Sequence, residues 1–299
     1  MARIIGSPSR YIQGKGTLAE ITKYTERLGK KLLILVSKSG KKRVEEKINK
    51  AVEGTDTTVV WEIFNGECSK SEVNRIGENL KKEKCDVVVG IGGGKILDTA
   101  KAVAYYEDIA VVCVPTAAST DAPCSALSVL YTDDGQFDEY LWLPANPDII
   151  LLDTDIIVAA PVRLIVSGMG DALATYFETR ACMRSNTTSC MGGSVSKTAM
   201  ALSELCFKTL MGDGAKALLA VNAGACTPAV ENIIEANTYL SGIGFESGGI
   251  AAAHAIHNGL TCIEETHGMY HGEKVAFGVL SQLVLENVST EDLEEVVEF

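Results

Sequence analysis

VVVGIGGGKILDTAK, residues 87–101, decides how the chain is read. It opens on a short apolar run of the kind that forms a strand buried on both faces. Its end, continued as KILDTAKAVAYY (95–106), carries apolar residues at helical spacing. Between them lie Gly90, Gly92, Gly93 and Gly94. Strand, glycine turn and helix together suit a diphosphate: glycine backbone lets it approach closely, and the free N–H groups of the helix start point at it. The stretch is neither GxGxxG nor a P-loop, because Lys95 is followed by Ile96. A tight turn without a ligand is the competing reading, but three adjacent glycines exceed what such a turn requires. Lys95 would bring charge to a phosphate, and Asp98 would orient a ribose or a nicotinamide amide.

Working outward, KLLILVS (31–37), VVWEIF (59–64), IAVVCVP (109–115) and DIILLDT (148–154) read as further strands, with helical patterns at 41–52 and 69–84. Apolar strands alternating with helices indicate a parallel sheet covered on both faces. SALSVLYT (125–132) and FDEYLW (137–142) flank the turn DDG and predict a hairpin. After Pro161, alanine, glycine and helix formers dominate and no strand is expected. The expected fold is an α/β dinucleotide-binding domain with a parallel sheet over 1–160, then an all-helical metal-binding domain over 161–299. STEDLEEVVEF (289–299) starts with a capping pattern at Ser289 but has no closing Gly or Lys, so the helical domain is expected to be truncated.

Composition narrows the class. Hydrophobic residues make up 46% and charged residues 22% of the 299, an ordinary globular profile. Net charge is -12 and no basic stripe is present, which argues against nucleic acid and anionic membranes. No apolar run approaches the roughly 18 residues of a membrane span. The N-terminal MARIIGSPSRYIQGKG lacks the pattern of a secretory signal. Nine scattered cysteines without a CxxC pair predict reduced thiols in a cytoplasmic protein.

All four histidines, His254, His257, His267 and His271, fall in HAIHNGLTCIEETHGMYHG (254–272). His254 and His257 are three apart and share a helix face; His267 and His271 are four apart. HExxH is absent. Such crowding points to a metal or proton-transfer site, with a carboxylate from elsewhere as third ligand. Asp171, in SGMGDALATYFE (167–178), competes for that role with Glu178, Glu246, Glu264 and Glu265, and also reads as an acid at a helix N-terminus. The loop VPTAASTDAP (114–123) adds Thr116, Ser119, Thr120 and Asp121 at the carboxyl edge of the sheet.

GIGGGKILDTAKAVA, VPTAASTDAPCSALSVLY, SGMGDALATYFE, GFESGGIAAAHAIHNG and HGEKVAFG occur in one order, and over about residues 4–288 the chain resembles the glycerol dehydrogenases, in the group of iron-containing alcohol dehydrogenases. The resemblance implies oxidation of glycerol and related vicinal diols to dihydroxyacetone or its analogues, with NAD and zinc, at a site between two domains. Iron suits the same donors. By resemblance the metal ligands are Asp171, His254 and His271. Asp121 and His254 contact the reacting polyol, and Phe245 lines its pocket. The dinucleotide site maps onto Gly92, Gly93, Gly94, Lys95, Asp98, Thr116, Ser119, Ser125, Leu127 and Tyr131. His257 and His267 fall outside the ligand set, and a homo-oligomer is implied. Two features depart from the pattern. Ser37 and Lys38 stand where an acid usually bonds the adenosine ribose, which loosens the choice of NAD over NADP, and relatives run beyond residue 299. Two other readings are a non-catalytic NAD-binding remnant and an enzyme resembling glycerol-1-phosphate dehydrogenase or a dehydroquinate-synthase-like lyase. The latter pair act on anionic substrates, and SGIGFESGG and AHAIHNG carry no Lys or Arg.

Overall fold

The apolar runs pair into a parallel six-stranded sheet, in a computed structural model that describes all 299 residues. Its strands are β1 (Arg10–Gly14), β2 (Lys31–Val36), β3 (Thr58–Ile63), β4 (Val87–Gly92), β5 (Ala110–Pro115) and β8 (Ile149–Asp153), in the order β1-β8-β5-β4-β2-β3. The intervening helices are α1 (Ile21–Thr25), α2 (Lys38–Val52), α3 (Lys70–Glu83) and α4 (Gly94–Glu107). Both faces of the central strands are buried. Leu32, Ile34, Val36, Val89 and Val114 pack with Val44 and Ile48 of α2, while the alternate residues Leu33, Leu35 and Val88 are equally buried. This is why these strands read as continuous apolar runs rather than alternating ones.

The hairpin forms from β6 (Leu127–Tyr131) and β7 (Phe137–Trp142), antiparallel as predicted. The sequence reading missed β1. RYIQG is an edge strand that pairs only with β8 and stays partly exposed, so it lacks an apolar run. Ser37 follows β2 and caps α2, its Oγ accepting the Gly40 N–H at 3.0 Å.

Beyond residue 153 the elements are helical: α5 (Thr154–Val158), α6 (Val162–Ser185), α7 (Lys197–Asn222), α8 (Pro228–Glu235), α9 (Ser241–Gly248), α10 (Ala252–Leu260), α11 (His271–Leu285) and α12 (Thr290–Glu298). No helix is long and apolar enough to cross a membrane. Ser289 caps α12 by accepting the Asp292 N–H, as its sequence pattern predicts.

Two compact units divide the chain. One holds Ser7–Ala117 and Ala122–Ile157; the other holds Val158–Phe299 together with Met1–Gly6 and Ala118–Asp121. In the helical unit, the N-terminal segment is pinned by Ser194 N–H donating to the Ala2 carbonyl at 2.8 Å and by Gly6 N–H donating to Ser247 Oγ at 3.3 Å. The segment 118–121 is held by Asn237, whose Nδ2 donates to the Ala118 and Ile165 carbonyls, both at 3.0 Å. Asn237 sits in a single π-turn, Ala236–Leu240, joining α8 to α9. Single π-turns inside helices are rare and are frequent at functional sites.

Candidate active site

Glycine contacts bring three helices of the helical unit together. A Cβ on Gly272 would lie 1.7 Å from the Ser167 carbonyl oxygen, so the start of α11 abuts α6. A Cβ on Gly278 would lie 2.3 Å from the Ala253 carbonyl oxygen, so α11 also abuts α10. These approaches place His271, the first residue of α11, and His254 of α10 beside α6. Asp171, Thr175 and Glu178 share one face of α6 at helical spacing.

Asp171 is fully buried, and its Oδ1 lies 3.0 Å from His271 Nε2 and 3.5 Å from His254 Nε2. The three candidate ligand atoms lie within 4.8 Å of one another. Asp171 lies well inside α6, so the helix dipole at an N-terminus does not account for it. Burial alone would raise its carboxyl; the histidines, His271 first, outweigh burial and hold it well below the usual carboxylate range. Burial likewise would lower the His254 imidazole, but the Glu178 and Asp171 carboxylates hold it well above its ordinary value. Glu178 bonds the other ring nitrogen of His254, Nδ1, at 2.6 Å.

The four histidines do not act alike. His257 joins the cluster, its ring centroid 4.2 Å from that of His271, and burial followed by the His271 charge lowers it to about 4. His267 is exposed and bonds the Thr261 carbonyl through Nε2. It precedes α11 rather than sharing a helical turn with His271, because Tyr270 caps that helix with its N–H donating to Glu273 Oε2 at 2.7 Å.

Asp121 lies against the same cluster. Its N–H donates to Asp171 Oδ2 at 3.3 Å, and its Oδ2 accepts the Ser241 hydroxyl at 2.6 Å. Ser241 in turn is 2.8 Å from Thr175 Oγ1. Burial, then the Asp171 charge, push the Asp121 carboxyl well above the usual range. Phe245 is half-buried on α9, and Ser119 accepts the Ser167 hydroxyl at 3.5 Å through its carbonyl. Sequence reasoning missed Ser241 and Asn237, whose roles come from distant partners. It also missed Lys274 of HGEKVAFG, which is buried and whose charge adds to holding His257 low.

In the α/β unit the glycine cluster splits into two kinds. A Cβ on Gly90 would lie 2.7 Å from Ala100 Cβ, and one on Gly92 would lie 2.6 Å from Ile96 Cδ1, so these two let α4 pack on β4. Gly93 and Gly94 have open space where a side chain would go, and no side chain caps α4. The Gly92 carbonyl accepts Thr116 N–H at 3.1 Å. Lys95 Nζ is paired with Glu67 at 2.6 Å and lies over the Tyr131 ring. Asp98 is held by the fully buried Lys101 at 2.9 Å and by Val129 N–H at 3.1 Å. Ser125 donates to the Ala122 carbonyl, and Leu127 is half-buried at the start of β6.

Comparison with known proteins agrees with this architecture. Residues 8–154 match the family model of iron-containing alcohol dehydrogenase. The glycerol dehydrogenase of Citrobacter freundii is 52% identical over 299 residues, covering 100% of this chain and 82% of the relative. That of Escherichia coli O6:H1 is 51% identical, covering 99% and 81%. The crystal structure of glycerol dehydrogenase from Schizosaccharomyces pombe superposes with a TM-score of 0.95 at 41% identity, over 99% of this chain and 76% of that one. The chain is thus an oxidoreductase by kinship, and it belongs to the glycerol dehydrogenases of the iron-containing alcohol dehydrogenase family.

Proposed function

We propose that the protein oxidises glycerol and related vicinal diols, glycerol to dihydroxyacetone, with NAD as acceptor and a divalent cation held by Asp171, His254 and His271. One observation carries the reading: Asp171 Oδ1 is buried, accepts no well-directed hydrogen bond, and is faced by two imidazole nitrogens. A buried carboxylate oxygen left in that state is costly unless a cation completes it. Two imidazoles and a carboxylate form the donor set of a catalytic zinc site with a position left open, and ferrous iron suits the same set. Bound there, the cation would supply Lewis-acid stabilisation of the charge that develops on a substrate hydroxyl.

The chain's own groups do the rest. Asp121, with Oδ2 occupied by Ser241, presents Oδ1 to a substrate hydroxyl and orients the diol. His254 lies at the edge of the same polyol position, and Phe245 lines its apolar side. Burial and the neighbouring Asp171 charge raise the Asp121 carboxyl, which favours sharing a proton with that hydroxyl. Gly93 and Gly94 with the open start of α4 suit the diphosphate of NAD, which serves as hydride acceptor. Thr116, Ser119, Ser125, Leu127 and Tyr131 line the remainder of the dinucleotide path. Lys95 and Asp98 take part only by sharing bonds they already make, with Glu67 and with Lys101.

Elemental analysis of the purified protein, beside NAD reduction with glycerol, propane-1,2-diol, butane-2,3-diol and glycerol 1-phosphate, tests the reading. Close to one zinc or iron per chain and turnover of the plain diols are expected, and His271→Ala removes both. Full metal content and full turnover in that variant would overturn the ligand assignment. Turnover of the phosphorylated substrate alone would overturn the substrate class.

A further inference from the structure

Glu178 is fully buried, and two backbone N–H groups and one imidazole nitrogen meet its carboxylate. Oε1 accepts Ala251 N–H at 2.8 Å and His254 N–H at 2.9 Å; Oε2 is 2.6 Å from His254 Nδ1. We propose that Glu178 is a positioning residue that fixes the tautomer of His254, so that Nε2 is the nitrogen offered to the cation. The proposal rests on the metal reading given above.

The backbone bonds fix the orientation. Ala251 precedes α10 and has no side chain with which to cap it, so Glu178 Oε1 caps that helix from α6. With Oε1 committed to two backbone donors, the carboxylate cannot rotate, and Oε2 stays against the ring. An ionised carboxylate only accepts hydrogen bonds. Nδ1 therefore keeps its proton, and Nε2, which faces Asp171, is the nitrogen left to give up its proton and bind the cation. A carboxylate behind a ligating histidine fixes the ring's orientation and raises its basicity.

Replacing Glu178 by glutamine separates this role from a merely structural one. The side chain has the same shape, and its carbonyl oxygen still caps α10. That cap forces the NH2 group to face Nδ1. The amide then donates to Nδ1, drives the ring proton onto Nε2, and blocks the ligand atom. A structural role, as cap and filler, is preserved by Glu178→Gln and lost in Glu178→Ala. The tautomer role predicts the opposite order, because alanine leaves the ring free to choose.

The experiment measures zinc affinity by chelator competition, the visible spectrum of the cobalt-loaded protein, and thermal unfolding of the metal-stripped protein, for the parent chain, E178Q and E178A. Stripped E178Q is expected to melt close to the parent while binding zinc about 10–100-fold more weakly, with its cobalt spectrum altered. E178A is expected to melt lower yet to bind zinc more tightly than E178Q. E178Q binding zinc as tightly as the parent, or more tightly than E178A, overturns the proposal while leaving the metal reading intact. A parent chain that takes up neither zinc nor cobalt overturns the metal reading, and the proposal with it.

Discussion

Gly168 and Ala118 touch so closely that no side chain fits at 168: a Cβ there would lie 2.0 Å from the Ala118 carbonyl oxygen. That carbonyl also accepts Asn237 Nδ2, so one oxygen anchors the segment that carries Asp121. Gly168→Ala must push the segment away from α6. Overpacking of this kind costs about 1–3 kcal/mol. The expected result is a lower melting temperature and a large loss of kcat/KM for glycerol with metal content unchanged, read by steady-state kinetics and elemental analysis. Unchanged kcat/KM would show that Asp121 does not depend on this contact.

Gly92 and Gly93 are adjacent and should respond in opposite ways. Gly92→Ala meets the Ile96 side chain and is expected to lower stability by about 1–3 kcal/mol in urea unfolding. Gly93→Ala meets open space at φ −91°, a conformation alanine accepts. Its folding stability should be unchanged while the KM for NAD rises several-fold. A Gly93→Ala variant with normal NAD affinity would remove this turn from the nucleotide path.

Chelation should uncouple stability from fold. A cation that binds only the folded helical unit stabilises it by about 2.7 kcal/mol at a free concentration one hundred times its Kd. Prolonged dialysis against a strong chelator is expected to abolish turnover and lower the melting temperature by several degrees. Added zinc restores both. A melting curve indifferent to chelator and zinc would count against a bound cation at Asp171.

The thiols offer a check through pH. Burial raises Cys68 and Cys113 to about 12, and Cys85 and Cys182 to about 11, so their reactive thiolates are scarce at pH 8. Cys226 and Cys262 are exposed. Iodoacetamide at pH 8 should therefore label these two in the native protein and all nine in denaturant, counted by mass spectrometry. Labelling of Cys113 without denaturant would contradict the packing of β5 against its neighbours.

The sheet was legible because its central strands are buried on both faces, which writes β2, β4, β5 and β8 as apolar runs. β1 was not, because an edge strand needs apolar residues on fewer sides. The histidine crowding reveals a cluster, but a spacing of four does not show whether His267 and His271 share a helical turn. The break before α11 depends on how Tyr270 and Glu273 bond locally, which a count of four residues cannot register. Glu178 was visible only as one carboxylate among several rivals of Asp171. Its position behind His254 Nδ1 comes from two helices meeting through glycines distant in sequence.

The pinning of Met1–Gly6 to the helical unit bears on how the chain folds as it leaves the ribosome. The first six residues find their partners only after Ser194 and Ser247 have been made, whereas the parallel sheet is complete by Asp153. Residues 1–6 must therefore wait, unpaired, while the sheet closes behind them. A bulky N-terminal fusion would burden that late docking step rather than sheet formation, and would slow maturation while leaving the α/β unit to assemble at its normal pace.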